Sequence, residues 1–184
     1  MTQRNLIDEL CQDHNEVRRL LARTQKAAGP QRRQLFEQLV GELVRHEVAE
    51  EEILRPLSKK VADKRIANAR LKEESAAEAL LKTMEKLDPD SAEFERKLSK
   101  LSTAVERHAE AEETKEFPRV RDAVDGKELV RMGRVYEVAK ASAPTHPHPS
   151  LPNSPEANLL AGPFVAVLDR ARDAVRKGLQ KVGA

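Results

Sequence analysis

Two segments of this chain match in register 62 residues apart. "HEVAEEEILRP" at 46–56 and "HAEAEETKEFP" at 108–118 share His, Ala, Glu, Glu and Pro at equivalent places. That offset is the length of one helical hairpin with its loops, so the first pair of helices reads as duplicated in a second pair. A duplicated hairpin buries its apolar faces by packing against its own copy. The expected fold is all-α: an up-down four-helix bundle with a pseudo-two-fold axis.

The apolar periodicity places the elements. A first helix is expected over about 3–27, with Leu6, Leu10, His14, Val17 and Leu21 on its inward stripe and Gly29-Pro30 as its stop. A second runs from about 31 to the high fifties, with Pro56 tolerated near its end or at a kink. A third covers about 63–87 and is closed by Asp88-Pro89-Asp90. Ser91 offers an N-cap to the fourth, whose stripe is Phe94, Leu98, Leu101, Val105, His108 and Glu112, and which ends at Asp125-Gly126. A short extra helix follows over about 127–141.

Residues 1–140 therefore read as the bundle. Residues 141–157, "ASAPTHPHPSLPNSPEA", hold five of the ten prolines and are expected to be an extended linker. Residues 158–184 resume helical periodicity, with Phe164, Val167, Leu168, Ala171, Val175 and Leu179 on one face. This amphipathic C-terminal helix is expected to dock on its own bundle or to pair with a second copy as a homodimer.

Composition narrows the function classes. Aromatic residues are 3%, so the core is built from Leu, Val, Ile and Ala, which suits helix packing better than a sandwich or barrel. The net charge of +2 sits in the tail, where Arg170, Arg172, Arg176, Lys177 and Lys181 outnumber Glu156, Asp169 and Asp173; residues 1–141 are neutral overall. A neutral body is not the basic face that nucleic acid requires. The lone Cys11 has no internal disulfide partner, the N-terminus "MTQRNLIDEL" shows no signal-peptide pattern, and no apolar run approaches a membrane span. A cytoplasmic protein is expected.

Within the stripe Phe36, Leu39, Leu43, His46, Glu50, Ile53, Leu57, an imidazole and a carboxylate stand where leucines belong. Residues four apart share a helix face, so His46 with Glu50 and His108 with Glu112 each point at the bundle axis. Buried carboxylates without partners are costly and repel each other; a bound cation removes both penalties. Imidazole nitrogen with carboxylate oxygen suits iron, manganese or zinc. His14 lies on the first stripe. Its counterpart on the third helix is Glu74, which shares a stripe with Leu71, Ala77, Leu81 and Met84; a shift in helical phase would put Glu73 or Glu78 there instead. Three imidazoles and three carboxylates supply about nine donors, and two roughly octahedral metals need about twelve. A bridging oxygen counts twice, which leaves about one position open for a small molecule.

The order His, His-x-x-x-Glu, a further ligand, then His-x-x-x-Glu-Glu followed by Phe-Pro resembles the hemerythrin-like HHE cation-binding domain over about residues 5–120, most closely in "ERHAEAEETKEFPRV" at 106–120. "EKLDPDSAEF" and the proline-rich tail are similar to actinobacterial-type members. The resemblance implies a non-haem di-iron centre with an oxo or hydroxo bridge, iron being preferred to manganese or zinc on this ground alone. Its ligands would be His14, His46, Glu50, His108 and Glu112, which match the family's pattern, with Glu50 and Glu112 bridging; Glu74, placed by the register of the repeat, would complete the set. O2, H2O2 or NO would be the small ligand, in a redox, oxidative-stress or catalase/peroxidase-like role.

The family usually has a histidine where this chain has Glu74. An extra carboxylate favours ferric iron and lowers the reduction potential, which counts against reversible oxygen carriage. A non-catalytic iron or oxygen sensor and a metal-independent helical scaffold stay open as alternatives. Glu47, Glu51, Glu52, Glu110 and Glu113 are expected on solvated faces or behind the ligands, with Glu51 and Glu113 singled out because they recur in the repeat. His146 and His148 sit in the linker, which holds no fixed geometry. Tyr136 is the only tyrosine and is expected to lie away from the site, giving no support to tyrosyl chemistry.

Overall fold

The computed structural model describes residues 4–61 and 64–143, together with residue 176. The linker and the C-terminal helix expected from the sequence fall, from residue 144 onward, outside the described residues apart from that one position.

Helix α1 spans Leu6–Lys26 and begins in a capping box. Asn5 Oδ1 accepts from the backbone N–H of Ile7 (2.9 Å) and Asp8 (3.1 Å), and the Asp8 carboxylate accepts from Asn5 N (3.2 Å). Gly29 has φ +57°, a conformation that favours glycine, and starts α2, Gly29–Val61. Its N–H donates to the Asp90 carboxylate (2.9 and 3.0 Å). The stop signals Gly29-Pro30 and Asp88-Pro89-Asp90 thus meet in space and tie two loops together at one end. Helix α3 is Lys64–Met84, and α4 is Ala92–Ala111, capped by Ser91 accepting from Phe94 N (3.2 Å).

Each of α1 to α4 packs on the next and α4 returns to α1, so the four close into a bundle with no strand among the described residues. Short connections make neighbours antiparallel. The core falls into two apolar clusters. One gathers Leu6, Leu10, Ile53, Leu57 and Val120; the other gathers Val17, Leu39, Leu43, Leu81, Phe94 and Leu101. Between them, along α1 and α2, lies a buried polar layer that includes His14, His46 and Glu50.

One expectation needs correction. The fourth helix does not run unbroken to Asp125. It ends at Ala111, widens into a π turn over Glu112–Glu116, and resumes as α5, Phe117–Ala123. Pro118, just beyond the π turn, has no N–H to give the carbonyl four residues back, and Phe117 N–H reaches five residues back to Glu112 O. Pro56, its repeat counterpart, is absorbed inside α2.

Helix α6, Gly126–Ser142, lies against both α1 and α2. A Cβ at Gly133 would stand 2.9–3.0 Å from backbone atoms of Arg4, Asn5 and Leu6, so only glycine permits this approach. No helix among the described residues is long and apolar enough to cross a membrane.

Candidate metal centre

The polar layer draws one or two side chains from each bundle helix. His14 comes from α1, His46 and Glu50 from α2, Glu74 from α3, His108 from α4, and Glu112 from the π turn. Their donor atoms form two groups, each within 4.8 Å: His14, His46 and Glu112 in one, Glu50, Glu74, His108 and Glu112 in the other. Glu112 belongs to both. Four of the six are almost wholly shielded from solvent, Glu50 and Glu112 at 0% exposure and His46 and His14 at 3% and 4%.

Each histidine is held from behind. His14 Nδ1 is 2.8 Å from Glu113 Oε1, an oxygen that also accepts from Arg18 Nη1 (3.0 Å). His108 Nδ1 is 3.2 Å from Glu73 Oε2. His46 Nδ1 is 2.8 Å from the Tyr136 hydroxyl, which itself donates to Asp13 Oδ2 (2.6 Å). A hydroxyl has one proton; with that proton on Asp13, the tyrosine oxygen accepts from His46 Nδ1–H. Every Nδ1 therefore has an outer partner, and every Nε2 faces the centre.

The inward atoms are only partly satisfied within the protein. His14 Nε2, His46 Nε2, Glu50 Oε1 and Glu112 Oε2 are buried without a hydrogen-bond partner, and Glu50 Oε2 and Glu74 Oε1 meet only the Arg55 guanidinium, at 2.9 Å. His14 Nε2 and Glu112 Oε2 are 3.2 Å apart, near enough for charge attraction but not aligned as a hydrogen bond. Buried polar atoms are nearly always paired, so four converging orphans in one dry layer fit a cation. Nitrogen and oxygen donors with imidazoles fixed from outside are the usual dress of a first-row metal site.

Electrostatics say the same. Burial opposes it, yet the Glu112 and Glu113 carboxylates raise His14 to about 9. Glu112, Glu50 and Glu74 similarly raise His108 to about 10 against burial. Burial, with the Glu50 and Glu112 charges, lifts Glu74 to about 7 despite Arg55. Without a metal, the positive charge among these carboxylates comes from Arg55 and from protons.

Beside these donors is a cavity of about 30 Å³, walled by Val17, Leu43, Ala77, Val105 and the Glu47 side chain. That is room for roughly two water-sized molecules. Burial and the neighbouring Glu74 charge push the Glu47 carboxyl well above its ordinary range.

All six sequence-marked positions meet in this layer. Of the alternatives to Glu74, Glu73 stands behind His108 and Glu78 pairs with Lys82 at the surface (2.7 Å). Glu113 backs His14, whereas its repeat counterpart Glu51 is exposed, as is Glu110. Residues 146 and 148 lie outside the described residues.

Residues missed from sequence are equally clear. Tyr136 touches the site, contrary to expectation, because α6 folds back across α1 and α2. Its burial was signalled by Leu129, Met132 and Ala139 on the same helix face. Arg55, 1% exposed, inserts its guanidinium among the acids: Nη2 lies 2.9 Å from Glu50 Oε2 and from Glu74 Oε1 and also contacts Glu112, and Nη1 is 2.7 Å from Glu116. Its repeat counterpart is Phe117, stacked on His14 at 5.7 Å, and that register marks position 55 as inward.

Residues 5–120 match the hemerythrin HHE cation-binding domain. The chain belongs to that family. It is 30% identical to an uncharacterized hemerythrin-like protein of Schizosaccharomyces pombe, over 76% of this chain and 70% of that protein. It is 26% identical to a DNA nickase of Nostoc sp., over 74% of this chain but only 39% of the nickase. No solved structure matches it. As a hemerythrin-like domain, this bundle is a cation-binding protein, and the two donor groups bridged by Glu112 are where its own residues fit a cation.

Proposed function

We propose that this hemerythrin-like bundle holds a pair of iron ions between His14, His46, Glu50, Glu74, His108 and Glu112, and reacts there with O2, peroxide or NO in a redox or oxidative-stress role. The observation that carries the reading is the set of orphaned inward atoms lying beside a cavity sized for a diatomic molecule. When bound, the iron pair supplies Lewis acidity and one-electron chemistry that no side chain offers.

The chain's own residues do the rest. Tyr136, Glu113 and Glu73 hold the three imidazoles with Nε2 inward. Glu112, the acid common to both donor groups, is the natural bridge. Val17, Leu43, Ala77 and Val105 give the cavity an apolar wall facing the donors. Three carboxylates make the site anionic, which favours the ferric state and peroxide or redox turnover over reversible oxygen carriage.

Elemental analysis of protein purified without chelator, beside a near-ultraviolet spectrum, tests the reading. Two equivalents of iron with an oxo-bridge absorption are expected in the native chain, and loss of both in His46→Ala and Glu112→Ala. Unchanged metal content in those variants would sink the site as drawn. Steady-state peroxide consumption by the iron-loaded protein separates catalysis from a sensor, which would bind iron and consume none.

A further inference from the structure

The two donor groups are alike in chemistry but not in surroundings. Arg55 is among the largest fully buried side chains, and a buried cation is tolerated only where acids compensate it. Three of its four acid partners, Glu50, Glu74 and Glu112, are the three carboxylates of the second donor group. A single atom, Nη2, touches one oxygen of each. That is the position of a cation at the centre of that group, filled here by the protein's own guanidinium.

The first donor group carries no such occupant. His14 and His46 have no contact with Arg55, and Glu112 turns one oxygen to Arg55 and the other to His14 Nε2. The fourth partner of Arg55 belongs to neither group. Glu116, also fully buried, holds Nη1 at 2.7 Å, so the guanidinium keeps one anion even if it gives up the three shared oxygens. A metal ion and a guanidinium nitrogen cannot share those oxygens at close range without strong repulsion.

We propose that Arg55 is a resident cation in the second half of the centre, so that metal loads in order: first at His14, His46 and Glu112, and at Glu50, Glu74 and His108 only as Arg55 retreats onto Glu116. This rests on the metal-binding reading above and adds to it that the two positions are unequal. Arg55 then does two jobs. It keeps the carboxylates neutralised in the metal-free chain, and it makes a one-metal form the resting product when metal is scarce.

The test is calorimetric titration of the chelator-stripped full chain with Co(II), with cobalt counted after desalting. The native chain is expected to take a first equivalent at least about tenfold more tightly than a second. His46→Ala should lose the tight equivalent. Arg55→Met should bring the second equivalent to within severalfold of the first, and Glu116→Gln, which removes the refuge, should weaken the second while sparing the first. Glu116→Gln is close in shape to the native residue, so the proposal stays testable if Arg55→Met fails to fold. Two equal equivalents in the native chain, or a second affinity unmoved by both variants, would overturn ordered loading while leaving metal binding intact. A native chain that takes up no cobalt at all would overturn the metal reading and this proposal with it.

Discussion

His46 Nδ1 lies 2.8 Å from the hydroxyl of Tyr136, ninety residues away in the chain. The tyrosine proton is committed to Asp13, whose other oxygen is held by Lys140. His46, Tyr136, Asp13 and Lys140 therefore form one line from the candidate metal centre to the rim of α6. The direction of its hydrogen bonds leaves the His46 Nε2 lone pair free to face inward.

Tyr136→Phe should expose the consequence. The variant keeps the ring packing and strands a buried Nδ1–H, which costs about 1–3 kcal/mol of stability. It also frees the imidazole to take the other tautomer. Metal affinity, measured by competition with a chromophoric chelator, is expected to fall roughly 10–100-fold.

Gly133→Ala should produce part of the same loss from a distance. An added methyl meets the backbone of Asn5 at 2.9 Å, and backbone cannot move aside cheaply. Thermal melting should report a destabilisation of about 1–3 kcal/mol. Gly126→Ala, with nothing within 4 Å of the new methyl, is the matched control and should melt with the native protein.

The repeat supplies a second matched pair. Glu113→Gln removes the negative partner of His14 and Arg18, whereas Glu51→Gln alters an exposed residue. Metal affinity should drop about tenfold or more in the first and stay unchanged in the second.

The stability of the metal-free chain should depend on pH in an unusual direction. His14 and His108 are raised to about 9 and about 10, so their contribution is complete below the free-histidine value of about 6.5 and is lost as pH rises through 9 and 10. Glu74, raised to about 7, adds a penalty that grows as pH rises from its ordinary value toward 7. Asp13 and Glu113, lowered to about 2, act oppositely and withdraw stability as pH falls from about 4 toward 2. The stripped protein should thus be most stable near about pH 4 to 4.5 and lose stability on either side, first as Glu74 ionises and then above about 6.5. Metal competes with the same histidine protons, so the rise in melting temperature on adding metal should grow with pH. A metal-induced shift that shrinks toward alkaline pH would contradict the donor set.

Much of this molecule is local and so is legible in one dimension. Helical stripes, the stops at Gly29-Pro30 and Asp88-Pro89-Asp90, and the cap at Ser91 follow from neighbours within a turn or two. The i, i+4 pairs His46/Glu50 and His108/Glu112 are local too, because one helical turn puts both side chains on one face. Even so, the π turn at Glu112–Glu116 was not read, since Pro56 and Pro118 look equivalent in sequence and only one widens its helix.

What surrounds the donors was decided by tertiary structure alone. Arg55 reaches Glu116 across 61 residues, His14 reaches Glu113 across 99, and Tyr136 reaches Asp13 across 123. The apolar stripe favours Glu74 over Glu73 without fixing the helical phase, and nothing local separates Glu113 from its repeat counterpart Glu51, because each simply faces one direction from its helix. Which of those directions meets another helix depends on how the helices are rotated about their own axes. That rotation is set by packing the whole core, including the one glycine that lets α6 approach α1.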